Sequence, residues 1–470
     1  MDSTIPSGLI EKLRSLLPGE DQVLTPDNPG YAQSLQRWSD LACRRAGAVV
    51  FPESAQDVSN AITFAQENNI DLSVKGGGHT PDGGNSSDGG ISIDLRRMNR
   101  VSVHPETRTL VAQGGALWRD VNKATKGSGF AVVSSSVGTT GVGGVTLQGG
   151  FGYLIGKHGL IIDNLLSVQI VTADGQLRTA SQSENADLFW AIRGAGPNFG
   201  VVLEFTFRAH DQPDGVFAGQ LVYTTDKLSR VMECLHVALQ YPDGATAAQC
   251  VYYQPSDSAE VMLSVTLCHD GPEEECRERL VDLFALAAAS TDVKMMPYEE
   301  ANAMLDSFSP PGRRKRLIGI EFVSPLRPEF AQEVLDEFAR KFKAEPDLTR
   351  SYIDIEFWNM AKVAQVPTTA TAFPSRMDTR RGSISLDYTD PTKDEEYLAW
   401  GAHLRRMFED EFRRGGFVPN RFVSNFTCYT DASRSRTPLE MFGVNGPRLV
   451  ELKQKYDPQN IFNKLNAITI

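Results

Sequence analysis

Long apolar runs and an excess of positive charge are both absent from this sequence. No stretch of its 470 residues approaches the 18 consecutive apolar residues typical of a membrane-spanning helix, so we expect no membrane partner. The formal net charge of −12 argues against nucleic acid as a partner. Residues 1–21 lack the basic start and apolar core of a secretory signal, and we expect a cytoplasmic enzyme.

Patterns of metal-binding residues are also lacking. The six cysteines are scattered, with no Cys-x-x-Cys pair and no zinc-like spacing, so we interpret them as buried, reduced thiols. The histidines are isolated, without a His-x-His or His-x-x-x-His pair. We therefore predict no metal site.

Three familiar nucleotide-binding and catalytic motifs are missing. The segment RGAGPNFG, residues 193–200, places its third glycine one position late and precedes a strand, which excludes a Rossmann fingerprint. The segment GGGHTPDGG, residues 76–84, lacks the terminal Gly-Lys-Ser/Thr of a P-loop. No Gly-x-Ser-x-Gly motif of a serine hydrolase occurs.

Helix and strand signals divide the chain into three segments. Residues 1–208 alternate short strands, helices and glycine turns, which predicts one α+β unit. Residues 209–414 contain longer alternating strands between amphipathic helices, and this pattern predicts a substrate-binding domain made of an antiparallel sheet covered by helices. We expect residues 415–470 to return to the first domain. The predicted helices of the second domain are 226–240, 273–290, 328–343 and 394–414.

Glycine is concentrated in two runs, VKGGGHTPDGG at residues 74–84 and GTTGVGGVTLQGGFG at residues 138–152. Because glycine has no Cβ, backbone amides in such loops can approach a bulky anionic ligand closely. His79 adds an imidazole nucleophile beside that site. A histidine in a turn is more often a structural hydrogen-bonding residue, but the second run favours a phosphate-bearing cofactor beside His79.

Five segments in chain order resemble the FAD-linked oxidases of the vanillyl-alcohol-oxidase type, in their berberine-bridge-enzyme-like branch. The resemblance covers most of the chain, and it implies a two-subdomain FAD-binding domain whose flavin faces the helix-covered sheet. It also implies an oxidase that transfers a hydride from a small organic substrate to FAD, with molecular oxygen as the acceptor. The segments are 74–99, 139–175, 187–202, 368–376 and 442–462.

The resemblance implies a single covalent link, from His79 to the 8α-methyl group of FAD. Many relatives add a cysteinyl bond, but its position falls on Val137, or on Ser134 in a shifted register, and no cysteine lies between Cys43 and Cys234. The other residues expected to bind FAD are Lys75, Gly76, Gly77, Gly78, Thr80, Gly84, Thr140, Gly141, Gly144, Gly150, Gly152, Val201 and Asn425. Thr140 falls at the position that relatives often use to admit or exclude oxygen, so a dehydrogenase remains an alternative to an oxidase.

A base that accepts a proton from the substrate is expected on the sheet that faces the flavin. Alternation along the strand places Tyr352, Asp354, Glu356 and Trp358 on one face. Either this face meets the cleft, or the opposite face is core and the acids are solvated.

Further candidates come from the next strand and the C-terminal segment. Asp387 and Tyr388 compete for the same catalytic role, and we rank Asp387 first together with Glu356. Asn425 and Tyr429 are expected to border the cleft, and Arg376 to close it or to pair with an acid.

One departure from the family pattern keeps other functions open. The usual substrate-side tyrosine falls on Val423. This change permits a flavoprotein of the same fold that catalyses a non-redox cyclisation, or a flavin-binding protein without turnover. Within redox chemistry, an amine or carbohydrate oxidase stays an alternative.

Overall fold

The computed structural model describes residues 5–212, 214–417 and 437–469. These residues form sheets of four, five, two and eight strands. The four- and five-stranded sheets lie in the part of the chain before residue 209, and the eight-stranded sheet lies after it.

The four-stranded sheet has the order β1-β2-β4-β3, with β1 antiparallel to β2, and with β2 and β3 parallel to β4. A capping box precedes the helix that starts at Ala55: the Ser54 hydroxyl accepts a hydrogen bond from the Asp57 amide, and the Asp57 carboxylate accepts one from the Ser54 amide. The elements are β1 (Val23–Leu24), β2 (Ala48–Val50), β3 (Leu72–Lys75), β4 (Ile91–Asp94), α1 (Ser7–Ser15), α2 (Tyr31–Ser34) and α3 (Ala55–Glu67).

The five-stranded sheet is antiparallel, with the order β5-β6-β10-β8-β9, and β7 pairs with β11 beside it. The strands are β5 (Val101–His104), β6 (Thr109–Gln113), β7 (Phe130–Ala131), β8 (Leu165–Val171), β9 (Leu177–Ser181), β10 (Val201–Arg208) and β11 (His210–Asp211). The helices are α4 (Trp118–Thr125), α5 (Val142–Leu147), α6 (Ile155–His158) and α7 (Ala186–Ala195).

The eight-stranded sheet is antiparallel, with the order β15-β12-β14-β13-β18-β19-β17 and with β16 paired to β12. Its strands are β12 (Val216–Thr224), β13 (Thr246–Tyr253), β14 (Met262–His269), β15 (Ser290–Thr291), β16 (Lys294–Met296), β17 (Arg314–Phe322), β18 (Tyr352–Phe357) and β19 (Arg380–Tyr388). The remaining helices are α8 (Leu228–Ala238), α9 (Glu273–Arg279), α10 (Val281–Ala285), α11 (Tyr298–Ala301), α12 (Pro328–Ala344), α13 (Ala361–Ala364), α14 (Asp394–Arg414), α15 (Pro438–Phe442) and α16 (Gly446–Tyr456).

The two faces of the eight-stranded sheet differ in chemistry. Ile353, Ile355 and Phe357 of β18 are fully buried in a core that also contains apolar residues of α8, α12 and α14. Helices therefore cover this face, as the alternation in β18 requires. The opposite face is polar around Asp354 and Glu356, and it forms one wall of the candidate site.

One sequence-based expectation for this domain is wrong. The predicted helix 273–290 is two short helices, α9 and α10, because Leu280 leaves the helical region with φ −116° and ψ 34°. Strand β17 has only a weak signal in the sequence, since its basic start, Arg314–Lys315–Arg316, hides the apolar alternation that follows.

Helix α16 lies against α7 and carries a buried ion pair. The Lys453 ammonium group is 2.6 Å from the Asp457 carboxylate, and both side chains have no exposed surface. Lys453 also donates to the backbone carbonyls of Asn198 and Phe462. This cluster fixes the residues after α16 to the first part of the chain. The two boundaries between the three predicted segments stay predictions.

Candidate active site

A cavity of about 310 Å³ lies where the two glycine loops meet the polar face of the eight-stranded sheet. Its size is within the range of small-molecule and cofactor sites. The walls come from both glycine loops, from strands β13 and β18, and from the C-terminal segment 462–465. The predicted site residues that line it are Gly76, Gly77, Gly78, His79, Thr80, Gly84, Val137, Thr140, Gly141, Gly144, Asp354 and Glu356.

The first glycine loop begins where strand β3 ends, at Lys75. Gly78 has φ +73°, a conformation that other residues rarely adopt. In the described part of the chain, none of the amide N–H groups of residues 77–80 donates a hydrogen bond to a backbone carbonyl. All four residues line the cavity, so these N–H groups are available to a ligand there.

His79 follows this loop and lies at the cavity wall, where its ring keeps partial exposure although protein surrounds it. The imidazole stacks on the Trp38 indole, with ring centroids 5.5 Å apart and planes at 17°. Burial first, and then the positive charge of Lys315, lower the pKa of His79 to about 3, while the Thr139 backbone acts in the opposite direction. The imidazole is therefore neutral at physiological pH.

The second glycine loop approaches the first through glycine contacts. A Cβ on Gly77 would lie 2.4 Å from the amide nitrogen of Gly141, so only glycine allows this contact. By contrast, a Cβ on Gly144 would meet nothing within 4 Å. The loops thus touch at one point and leave open space beside it.

The opposite wall carries the two carboxyl groups of β18. Tyr352, Asp354, Glu356 and Trp358 all line the cavity, so the polar face of this strand meets the cleft. Burial raises the pKa of Asp354 to about 7. Burial and the neighbouring Asp354 raise the pKa of Glu356 well above its usual range, while Arg381 and Gln249 oppose this change. One carboxyl group is thus poised near neutrality, and the other is held protonated.

Hydrogen bonding on this wall is incomplete. The Gln249 side-chain nitrogen lies 3.4 Å from the Asp354 carboxylate. Three buried side-chain oxygen atoms of this wall have no hydrogen-bond partner among the described residues: Gln249 Oε1, Asp354 Oδ1 and Glu356 Oε2. All three side chains are at most 9% exposed. Buried polar atoms without a hydrogen-bond partner indicate that a ligand or water supplies the missing hydrogen bonds.

Sequence reasoning missed several residues of the site. Gln249 lies on β13 opposite Glu356, and Arg381 lies on β19 opposite the same residue. Both could have been found by pairing the alternation of neighbouring strands. Trp38 carried no signal, because its contact with His79 depends on the tertiary fold.

Four predicted cofactor-binding residues do not line the cavity. The Lys75 ammonium group is 3.0 Å from Asp94 in a buried ion pair. A Cβ on Gly150 would collide with Ile161, and one on Gly152 with the Ser134 carbonyl oxygen, so these glycines serve close packing. Val201 is fully buried in the core beside the four-stranded sheet.

The expectation that Asp387 and Tyr388 face the cavity is wrong. Asp387 shares the polar face of β19, but it lies beyond the cavity, where the Arg313 guanidinium and the Lys315 ammonium group neutralise it. Tyr388 points to the opposite, helix-covered face, and its hydroxyl donates to Asp394 at 2.7 Å. Because side chains alternate, these neighbours cannot share one role.

Other predicted residues lie elsewhere or outside the described ranges. Arg376 pairs with an acid, one of the two expected alternatives: its guanidinium donates two hydrogen bonds to Asp163, at 2.7 and 2.8 Å. Asn425, Val423 and Tyr429 lie outside the described residues.

The described residues contain neither a candidate metal centre nor a candidate membrane-spanning helix. Across residues 5–212, 214–417 and 437–469, no three His, Cys, Asp or Glu side chains are grouped so that they could hold a metal ion. In the same ranges, no helix has the length and apolar character needed to span a membrane.

Sequence comparison gives matches along almost the whole chain. The family model described as FAD binding domain matches residues 46–181, and the one described as berberine and berberine like matches residues 426–469. The FAD-linked oxidoreductase pgmH of Aspergillus terreus is 35% identical over 97% of this chain and 94% of its own length. The uncharacterized FAD-linked oxidoreductase YvdP of Bacillus subtilis is 29% identical over 94% of this chain and 96% of its own.

Solved structures share the architecture. The 6-hydroxy-D-nicotine oxidase of Arthrobacter nicotinovorans is 25% identical, with a TM-score of 0.79 over 96% of this chain and 98% of its own. The Physcomitrella patens BBE-like 1 structure is 19% identical, with a TM-score of 0.82 over 98% of this chain and 99% of its own, and shows the fold alone. These likenesses confirm the predicted fold class, a two-subdomain FAD-binding domain of the vanillyl-alcohol-oxidase type with a helix-covered antiparallel sheet.

Proposed function

This chain belongs to the berberine-bridge-enzyme-like FAD-linked oxidoreductases, and on that premise we propose that it is an oxidase with FAD joined to His79. Its substrate is a small organic molecule, and molecular oxygen is the electron acceptor. The observation that carries the proposal is the cavity in which His79 and the glycine loops face Asp354 and Glu356.

The residues of the cavity fit an FAD molecule. The amide N–H groups of residues 77–80 donate to no backbone carbonyl in the described ranges and would bind the cofactor's polar groups. The open space beside Gly144 admits a bulky group at the second loop. When bound, FAD supplies the hydride acceptor that the oxidation requires.

His79 suits the covalent link because it is held neutral. An alkyl bond forms on an unprotonated imidazole nitrogen, and the lowered pKa of about 3 keeps that nitrogen available across physiological pH. The sequence contains no cysteine between Cys43 and Cys234 that could add a second bond.

Asp354 and Glu356, on the opposite wall, have different roles: Asp354 is the proton acceptor and Glu356 is a hydrogen-bond donor. Asp354, with a pKa near 7, accepts a proton from a substrate hydroxyl or amine group through its unpartnered Oδ1. Glu356 stays protonated and donates a hydrogen bond to the substrate. Tyr352 and Trp358, on the same face, supply flat apolar surface for an aromatic substrate.

The link is tested by denaturing the purified protein in acid and measuring the flavin that stays with the chain. We expect retention in wild type and in His104→Ala, whose side chain is 43% exposed, and release from His79→Ala. Release from wild type would overturn the histidyl link. Absence of any flavin would overturn the cofactor site as well.

Redox chemistry is tested by mixing candidate substrates with the enzyme without oxygen. We expect the flavin to bleach and, when air is admitted, to recover with formation of hydrogen peroxide. Substrate turnover without bleaching would instead favour a non-redox cyclisation.

The role of Asp354 is tested by the rate of the same bleaching. Asp354→Asn should slow it by about 10²- to 10⁴-fold, the usual contribution of a general base. In wild type the rate should rise with pH through about 7, because only the ionised carboxylate accepts a proton. Asp387→Asn is the control, and equal loss in both variants would contradict the assignment.

A further inference from the structure

Trp38 connects the histidine loop to the eight-stranded sheet. Its amide donates to the Gly78 carbonyl at 3.0 Å, and its own carbonyl accepts from the Gly312 amide at 3.0 Å. The next residue, Ser39, makes two hydrogen bonds with the Lys315 backbone on β17, at 2.8 and 3.0 Å. The Trp38 backbone is therefore fixed to both walls of the cavity.

The Trp38 side chain is also fixed. The indole is 6% exposed, and the Lys315 ammonium nitrogen lies 5.0 Å from its ring centroid, close enough for a cation–π interaction. That ammonium group is held in turn by the carbonyls of Pro310 and Gly312. The indole thus presents a rigid flat surface, and the His79 imidazole stacks on it.

His79 needs such a surface because its own loop offers little support. Gly76, Gly77 and Gly78 precede it and carry no side chain that could restrict the imidazole. A reacting group must be held close to its attack geometry, and a displacement of about 1 Å can cost roughly 10²-fold in rate. The stack on Trp38 restricts the direction in which the imidazole nitrogens point.

We propose that Trp38 is a positioning residue for the covalent attachment of FAD, which holds the His79 ring by stacking while Lys315 fixes the indole. This role rests on the histidyl link of the proposed function. Attachment exchanges a C–H bond of the flavin 8α-methyl group and the imidazole N–H bond for one C–N bond. Two electrons and two protons leave, and molecular oxygen takes them to form hydrogen peroxide.

The test separates binding of flavin from its attachment. Purified variants are incubated with excess FAD in air. Total bound flavin is measured on the folded protein, and attached flavin is measured on the acid-denatured chain over time. Trp38→Leu keeps apolar bulk without an aromatic face, Trp38→Phe keeps a ring for stacking, and Trp400→Ala removes a tryptophan of similar burial, 7% exposed, on α14.

We expect Trp38→Leu to bind flavin but to attach it about 10- to 100-fold more slowly than wild type. Trp38→Phe should restore most of the rate, and Trp400→Ala should attach at the wild-type rate. Attachment in Trp38→Leu as fast as in wild type would overturn the inference, as would equal slowing in Trp400→Ala. If Trp38→Leu does not fold, slow attachment in a folded Trp38→Phe overturns it as well.

The outcomes keep the two proposals apart. Free release of flavin from acid-denatured wild type rejects the His79 link itself. Retention in wild type, together with unchanged attachment in Trp38→Leu, rejects only the role of Trp38.

Discussion

Gly77 and Gly141 meet backbone to backbone, so that a Cβ on either would lie 2.4 Å from the amide nitrogen of the other. This contact joins the two glycine loops at the cavity. Gly77→Ala and Gly141→Ala should force the loops apart, lower stability by about 1–3 kcal/mol and reduce flavin content. Thermal unfolding and flavin absorbance measure the two effects.

Gly144→Ala is the matched control for these variants. A methyl group at Gly144 meets no atom within 4 Å, so we expect the free energy of unfolding to be unchanged or slightly increased. If Gly144→Ala were as destabilising as Gly77→Ala, the close contact of Gly77 with Gly141 would not explain the loss of stability.

Burial of Asp354 should make stability depend on pH. Its pKa rises from an ordinary value of 3.8 to about 7 on folding, so between these values the folded protein binds more protons than the unfolded chain. Stability therefore falls as pH rises through this window, and Glu356 acts in the same direction. Asp354→Asn should gain stability relative to wild type between pH 5 and pH 8, as measured by denaturant unfolding.

An exposed acid provides the comparison. Asp336 lies on the outer side of α12, and Asp336→Asn should leave the pH dependence as in wild type. A parallel pH profile for Asp354→Asn and wild type would contradict the account of Asp354.

Alternation within one strand placed the two carboxyl groups of the site on one face, but it left open whether that face meets the cleft, and the structure shows that it does. In β18 the apolar residues Ile353, Ile355 and Phe357 need a covered face, so Asp354 and Glu356 take the other. Asp387, the other acid ranked first, lies on the same face of the sheet but beyond the end of the cavity. The position along a strand at which its side chains stop lining the cavity depends on the segments packed against it. Here those segments are residues 38–40 and 310–315.

The glycine loops could also be predicted from the sequence, but the residues that hold them in place could not. The density of glycine around His79 is a signal that a short stretch of sequence contains. The segments that carry the family resemblance are also local, and the comparisons confirm that resemblance. Trp38 and Lys315 reach the site only through long-range contacts. No pattern within a window of sequence contains such contacts.

Arg376 joins the two main parts of the chain through Asp163. Two hydrogen bonds of 2.7 and 2.8 Å form a bidentate pair, and the arginine side chain is 1% exposed. A lysine cannot reproduce this geometry, so Arg376→Lys should lower the free energy of unfolding by about 2 kcal/mol. Arg380→Lys, whose partner Asp378 is 54% exposed, should lose less than about 1 kcal/mol. Equal losses would mean that bidentate pairing is not what stabilises the contact.

The buried pair Lys453–Asp457 should be the most sensitive ionic contact in the C-terminal segment. Lys453→Met would leave the Asp457 carboxylate buried without its counter-charge, at a cost of about 3–5 kcal/mol. It would also remove the donor to the carbonyls of Asn198 and Phe462, and Phe462 lines the cavity. Flavin content should therefore fall together with stability.

Lys455→Met provides the control two residues away. That lysine is 57% exposed and pairs with Asp187 at the surface, so its loss should cost less than about 1 kcal/mol and leave flavin content unchanged. Denaturant unfolding and flavin absorbance compare the two variants. Because both substitutions remove one lysine from the same helix, only burial and the contacts of Lys453 can account for a difference. A similar, small effect in both would show that this ion pair does not hold the C-terminal wall of the cavity.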